Sequence, residues 1–140
     1  MAIWHGTPSL QDINSSGAGT LVEALGIRFT EIGADYLQAT MPVDDRTRQP
    51  LGYLHGGASL ALAETVGSYA SALCVDLDRQ ILFGQAINAN HLRPVTGGLV
   101  TGTARPYHLG RTSHVWEVRI DDDQARLVCI ARLTVSIRDK

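Results

Sequence analysis

Apolar and polar positions change their period as the chain proceeds, and the changes mark out the elements. In residues 36–43 Leu37, Ala39, Met41 and Val43 alternate with Tyr36, Gln38 and Thr40, the twofold period of a strand with one apolar face. A shorter β-like run at 27–31 precedes it, and Ile32-Gly33-Ala34-Asp35 between them reads as a hairpin turn. From 57 to about 75 the period becomes helical: Ala58, Ala61, Leu62, Thr65, Tyr69, Ala72 and Leu73 recur on one stripe. This is the one long helix the pattern predicts. The loop before it, DDRTRQPLGYL at 44–54, is charged and carries Pro50 and Gly52. Residues 9–24 read as one or two short helical turns broken by Gly17 and Gly19.

Beyond Asp76-Leu77-Asp78 everything reads as β: 81–93, 99–107, 112–121 and 126–137. The turn signals between them are Pro94 with Gly97-Gly98, His108-Leu109-Gly110, and Asp121-Asp122-Asp123. In the last run Leu127, Cys129, Ala131, Leu133, Val135 and Ile137 share one face. Links this short exclude parallel crossovers, so the four strands are expected to form an antiparallel meander. A single helix that is apolar nearly all round must be enclosed. The expectation is therefore an α+β fold, one domain over 1–140, with a curved antiparallel sheet wrapped round one long central helix.

Composition narrows the class. Of 140 residues, 44% are hydrophobic and 19% charged, which supports a packed core rather than disorder. A net charge of −2 without basic runs argues against a general nucleic-acid binder. Cys74 and Cys129 lack a CxxC partner and sit in apolar runs, so they are expected as buried free thiols. The five histidines show neither HxH nor HxxxH spacing, which argues against a metal site. The first sixteen residues lack the basic start and apolar stretch of a signal peptide. The 56–75 segment is too rich in Gly, Ala, Ser and Thr, and carries Glu64, so it is a poor membrane span. A soluble cytoplasmic domain is expected.

Three groups of residues could carry chemistry. Glu64 is the only charged side chain between Gly56 and Val75. A carboxylate in such a helix either faces solvent or a subunit contact, or serves as acid, base or nucleophile in an apolar cleft. Leu60, Ser68 and Ser71 share its stripe, and Gly67 leaves a gap beside it. The second group, His55-Gly56-Gly57, stands where loop becomes helix. Unpaired N–H groups and the positive dipole end there suit an oxyanion, although Gly-Gly also reads as a flexible loop end. It lies two turns, roughly 11 Å, before Glu64. Either a substrate bends between them, or the two come from different subunits. The third group is basic: His91 and Arg93, then Arg105, His108 and Arg111 with Thr112 and Ser113. Together these could hold phosphates, although each arginine alone reads as a solvated sheet edge.

Three stretches, QPLGYLHGGASLALAETVGSYASALC, INANHLRPVTGG and PYHLGRTSHVWEVRI, resemble the hotdog-fold acyl-CoA thioesterases. The resemblance points to the PaaI-like branch holding the 1,4-dihydroxy-2-naphthoyl-CoA thioesterases of menaquinone synthesis and the enterobactin-pathway proofreading thioesterases. It runs from about residue 20 to the C-terminus, and LHGGxxxxLAE is its most specific stretch. It implies hydrolysis of acyl-CoA thioesters, with aromatic acyl groups of naphthoyl or benzoyl type favoured. Glu64 matches the catalytic carboxylate, as nucleophile or as general base for water. His55 and Gly56 match the positions that polarise the thioester carbonyl, with the Gly56 N–H as oxyanion donor. Gln49 matches a glutamine that positions thioester or water, Ser68 a hydroxyl near the carboxylate, and His91 a residue lining the site. Arg93, His108 and Arg111 match positions near the CoA end. The resemblance implies no metal or redox cofactor, CoA being part of the substrate, and a homodimer or a tetramer built as a dimer of dimers with shared active sites. From charge and composition, no nucleic-acid or membrane partner is expected.

Two other readings stand beside this one. An acyl-thioester hydratase or dehydratase would share the fold, but the chain lacks the His-Phe-Pro and Asp-His patterns of those enzymes. A non-catalytic acyl-CoA-binding module would make Glu64 dispensable. For the acyl pocket, Ala58, Ala61 and Gly84 with Tyr53 and Phe83 nearby would admit a flat ring or a medium aliphatic chain.

Overall fold

A computed structural model describes all residues, Met1 to Lys140. Two short helices come first, α1 (Leu10–Ser16) and α2 (Leu21–Ala24). The side chain of Ser9 caps α1 by accepting from the Asp12 N–H, and Thr20 caps α2 through the Val22 N–H. The hairpin follows as β1 (Arg28–Ile32) and β2 (Leu37–Pro42), then the long helix α3 (Gly56–Leu73). The remaining strands are β3 (Gln80–His91), β4 (Leu99–Leu109), β5 (Ser113–Asp121) and β6 (Leu127–Asp139).

All six strands form one antiparallel sheet in the order β1-β2-β4-β5-β6-β3. Alternate inward residues of β2, β4, β5 and β6 pack on α3, with Leu62, Val66 and Ala70 of the helix fully buried among Leu37, Val100, Trp116 and Leu133. Small residues allow the close approach. A Cβ on Gly67 would lie 2.5 Å from Leu133 Cδ2, so the gap expected beside Glu64 is filled by the sheet instead.

The expected four-strand meander is corrected. Of these four strands only β4, β5 and β6 are consecutive neighbours; β3 leaves them and pairs with β6 at the far edge, never with β4. A link of seven residues, 92–98, can span about 23 Å when extended. Three strand spacings are only about 14 Å. The link is therefore long enough to cross the end of β5 and β6, and a short link does not by itself make neighbours. It is held there by the Val95 carbonyl, which accepts from the Leu54 N–H at 2.8 Å, and by Arg48, which donates to the Thr96 carbonyl at 3.0 Å.

This order sets the two edges of the sheet apart. The β1 edge is five residues long, slips register between Phe29 and Glu31, and is covered by α1. Asn14 imitates a neighbouring strand there: its Nδ2 donates to the Phe29 carbonyl at 3.0 Å and its Oδ1 accepts the Phe29 N–H at 2.8 Å. The β3 edge is twelve residues long, and nothing in the chain pairs with its outer side.

Candidate active site

The start of α3 is built by the loop before it. Thr47 is buried and its hydroxyl donates to the Pro42 carbonyl at 2.7 Å, which fixes the turn at 44–47. Gln49 and Tyr53 close the next turn, with the Gln49 N–H donating to the Tyr53 carbonyl at 2.7 Å. Gly52 sits at φ +90°, a backbone conformation other residues rarely adopt. The Gln49 side-chain oxygen accepts the Leu51 N–H, which leaves its NH₂ as the free donor.

His55 caps the helix: Nδ1 accepts the Gly57 N–H at 2.8 Å. With Nδ1 occupied as an acceptor, the neutral ring carries its proton on Nε2. The helix thus begins at Gly56, one residue before the periodicity predicts. The Gly56 N–H makes no hydrogen bond within the chain, whereas its neighbours His55, Gly57, Ala58 and Ser59 all donate. It is an open donor at the positive end of an eighteen-residue helix. The His91 ring packs over the same glycine, so that a Cβ on Gly56 would lie 3.0 Å from His91 Nε2. A cavity of about 400 Å³ here is lined by Gln49, Tyr53, Gly56, Ser59, His91 and Arg93.

Glu64 faces elsewhere. A groove of about 420 Å³ runs between α3 and β3, lined by Gly57, Leu60, Ala61 and Glu64 on the helix and by Gly84 to Ile87 on the strand. The helix positions fall at i, i+3, i+4 and i+7, one face. Burial pushes the Glu64 carboxyl above its ordinary value of 4.5, with desolvation as the cause and no cation to offset it. The carboxylate lies against Gly84, where β3 slips register between Gly84 and Ala86.

Gln49, Gly56, His91 and Arg93 therefore come together in one cavity, with His55 capping the helix beside it, and Glu64 occupies the next. Ser68, one turn beyond Glu64, is half-buried and lies outside the groove lining. Ser71 turns away into the core, where its hydroxyl accepts from Trp116 Nε1 at 2.7 Å and meets buried His114 Nδ1 at 3.1 Å. Burial, and then the charge of His108, lower the His114 pKa, so it stays neutral in this network. The basic group divides. Eight residues separate His91 from Phe83 along β3, about 26 Å, and Phe83 marks the row that pairs through Ser136 to Ser113. His108 and Arg111 therefore stand at the opposite end of the sheet from Arg93, both exposed. Arg105 is engaged elsewhere, 3.0 Å from Asp35 and stacked over Tyr36. Of the expected pocket residues, Ala61 and Gly84 line the Glu64 groove, Ala58 is buried beneath the helix, and Tyr53 belongs to the other cavity.

The sequence reading missed the register slip at Gln85 and the Ser71–His114–Trp116 network. An isolated glycine inside a strand was the available signal for the first. Cys129 is buried, Cys74 half-buried, and both are free; burial raises the Cys74 thiol to about 11. No three His, Cys, Asp or Glu side chains stand where they could share a metal ion. No helix is long and apolar enough to cross a membrane.

Comparison with known proteins fits this geometry. The thioesterase superfamily model matches residues 51–129, the span from the loop before α3 into β6. The chain belongs to the thioesterase superfamily. It is similar to thioesterase PA1618 of Pseudomonas aeruginosa, at 50% identity over 98% of this chain and 94% of that one. The crystal structure of a glutamine-to-alanine mutant of PA1618 superposes with a TM-score of 0.98, covering 99% of this chain and 100% of the other. It is 48% identical to the 1,4-dihydroxy-2-naphthoyl-CoA hydrolase of Escherichia coli K12, over 96% of this chain and 98% of that one. It is 50% identical to the proofreading thioesterase EntH of Cronobacter turicensis, over the same shares. The superfamily member described here is thus a thioester hydrolase with the hotdog architecture, six antiparallel strands around a central helix.

Proposed function

We propose that this thioesterase hydrolyses acyl-CoA thioesters, aromatic acyl groups first among them, at a site completed by two copies of the chain. The observation that carries the reading is Glu64: a desolvated, unpaired carboxylate in a groove with Leu60, Ala61, Ala86 and Ile87. The E. coli relative is named for a naphthoyl-CoA substrate, and a groove between a helix face and a strand suits a flat ring.

The thioester carbonyl oxygen accepts from the Gly56 N–H, where the α3 dipole favours the negative charge that develops. The free Gln49 NH₂ and His55 Nε2–H orient the thioester or the attacking water, and His91 walls the site. Glu64 either attacks the carbonyl carbon, forming an anhydride that water then opens, or takes a proton from the water that attacks. In both routes the carbon–sulfur bond breaks and CoA leaves as thiolate. Ser68 supplies a hydroxyl one turn from the carboxylate, and Arg93 of one copy, with His108 and Arg111 of the other, takes the phosphates of CoA. None of these steps needs a metal or redox cofactor.

Along one helix Gly56 and Glu64 are about 12 Å apart, too far to work on one carbonyl. A second copy resolves this. Two β3 strands paired antiparallel about a twofold between Ile87 and Asn88 set Gly84 of one opposite His91 of the other. Glu64 of one copy then faces Gly56 of the second. The long uncovered β3 edge, with Phe83 57% exposed, supports this pairing. A tetramer would add a second such dimer.

The test is release of free thiol from naphthoyl-, benzoyl-, phenylacetyl- and aliphatic acyl-CoA by wild type and by Glu64→Ala. Turnover favouring aryl thioesters and falling about 1,000-fold in Glu64→Ala is expected. No turnover on any thioester, or an indifferent Glu64→Ala, would overturn the reading. A single turnover in ¹⁸O water separates the two routes: label enters the product directly for a general base, and Glu64 first for a nucleophile.

A further inference from the structure

The geometry points to Gly84 as the positioning residue for Glu64: the absent side chain at this one point of β3 is what lets the carboxylate lie against the strand. This rests on Glu64 being the reacting group. The backbone does not demand glycine, because Gly84 lies outside the left-handed region that favours it. The core does not demand it either. A Cβ built at position 84 would overlap Glu64 Oε1 and stand 3.0 Å from its carboxyl carbon and 3.6 Å from Oε2. Those three atoms of one side chain are its nearest neighbours. Gly67 and Gly102, by contrast, make room for the core side chains of Leu133 and Leu62.

Glycine inside a strand is otherwise a cost, since it gives up more backbone entropy than alanine and packs nothing. Here it opens a notch just before the register slips between Gly84 and Ala86, which leaves Gln85 unpaired and bends the strand beside the helix. The notch and the bend together make the floor of the groove holding Glu64. A methyl group at 84 would meet only the far end of a flexible side chain. The chain would still fold, and the carboxylate would swing outward into better solvation.

The test compares wild type, Gly84→Ala, Glu64→Ala and the double variant, in thioester hydrolysis and in thermal unfolding. Gly84→Ala is expected to lower kcat about 100-fold, the scale of an ångström's misplacement, with KM within about threefold. Its Tm should be no lower than that of wild type. The acid limb of its residual activity should move to lower pH, because a less desolvated carboxylate ionises earlier. In the Glu64→Ala background the same alanine should change nothing further. A kcat for Gly84→Ala within about twofold of wild type, while Glu64→Ala is inactive, would overturn the positioning role and leave the functional reading standing. So would an equal loss of activity or Tm from Gly84→Ala in both backgrounds. Full activity in Glu64→Ala would overturn the functional reading itself, and the positioning role with it.

Discussion

The two edges of this sheet solve the same problem in opposite ways. At β1 the edge is short and slipped in register, and Asn14 occupies its hydrogen bonds as a strand would. At β3 the edge runs for twelve residues with Ile81 and Phe83 exposed, and nothing in the chain covers it. Uncovered apolar edges invite pairing with another chain, and proteins that keep one have a use for it. Both halves of the proposed site lean on β3: Glu64 rests on Gly84, and the His91 ring packs on Gly56. On the proposed reading, the closed edge serves stability and the open edge serves assembly and chemistry.

A charge placed on each edge tests that division with the largest effect. If two copies pair through β3 as proposed, wild type should sediment as a dimer or larger and Phe83→Asp as a monomer, with thioester hydrolysis about 100-fold lower, in line with the lost halves of each site. Thr30→Asp, the matching change on β1, should alter neither. Equal effects at the two edges would erase the distinction.

The covered edge should show its importance in stability alone. Asn14→Ala removes both bonds to Phe29 and should cost about 1–2 kcal/mol, read as a lower Tm with kcat unchanged. The smallest effect concerns pH. Because folding raises the Glu64 pKa above 4.5, its contribution to stability is whole below that value and is lost as pH rises through the folded pKa. Glu64→Gln should therefore be the more stable protein at pH 7, by no more than about 3 °C in Tm, and should lose that advantage near pH 4.

Much of this could be read from the chain before any coordinates. Strict alternation in 36–43 and 126–137 and the helical period after Gly57 gave the elements within a residue or two, because each has one buried face. Strand order could not be read the same way. The link at 92–98 is short enough for a hairpin and long enough to cross two strands, so local signals do not choose between them. In the site, the lone charge of Glu64 and the glycines of His55-Gly56-Gly57 stood out because they break the pattern around them. Ser71 and Gly67 did not separate from Ser68, since one stripe of a helix curves from groove to core. Which residues would meet across the β3 edge in the proposed dimer depends on a second chain, and no single sequence displays that.

The most direct test of a site divided between subunits is complementation. Gln49→Ala and Glu64→Ala would be co-expressed with different tags, and the mixed dimers assayed against each parent. Random pairing makes half the dimers mixed. Each mixed dimer holds one intact site of its two, so the account predicts about half of wild-type activity in the mixed dimers and about a quarter in the unfractionated preparation. Mixed dimers no more active than their parents would contradict it, and would place Gln49 and Glu64 in the same subunit's site.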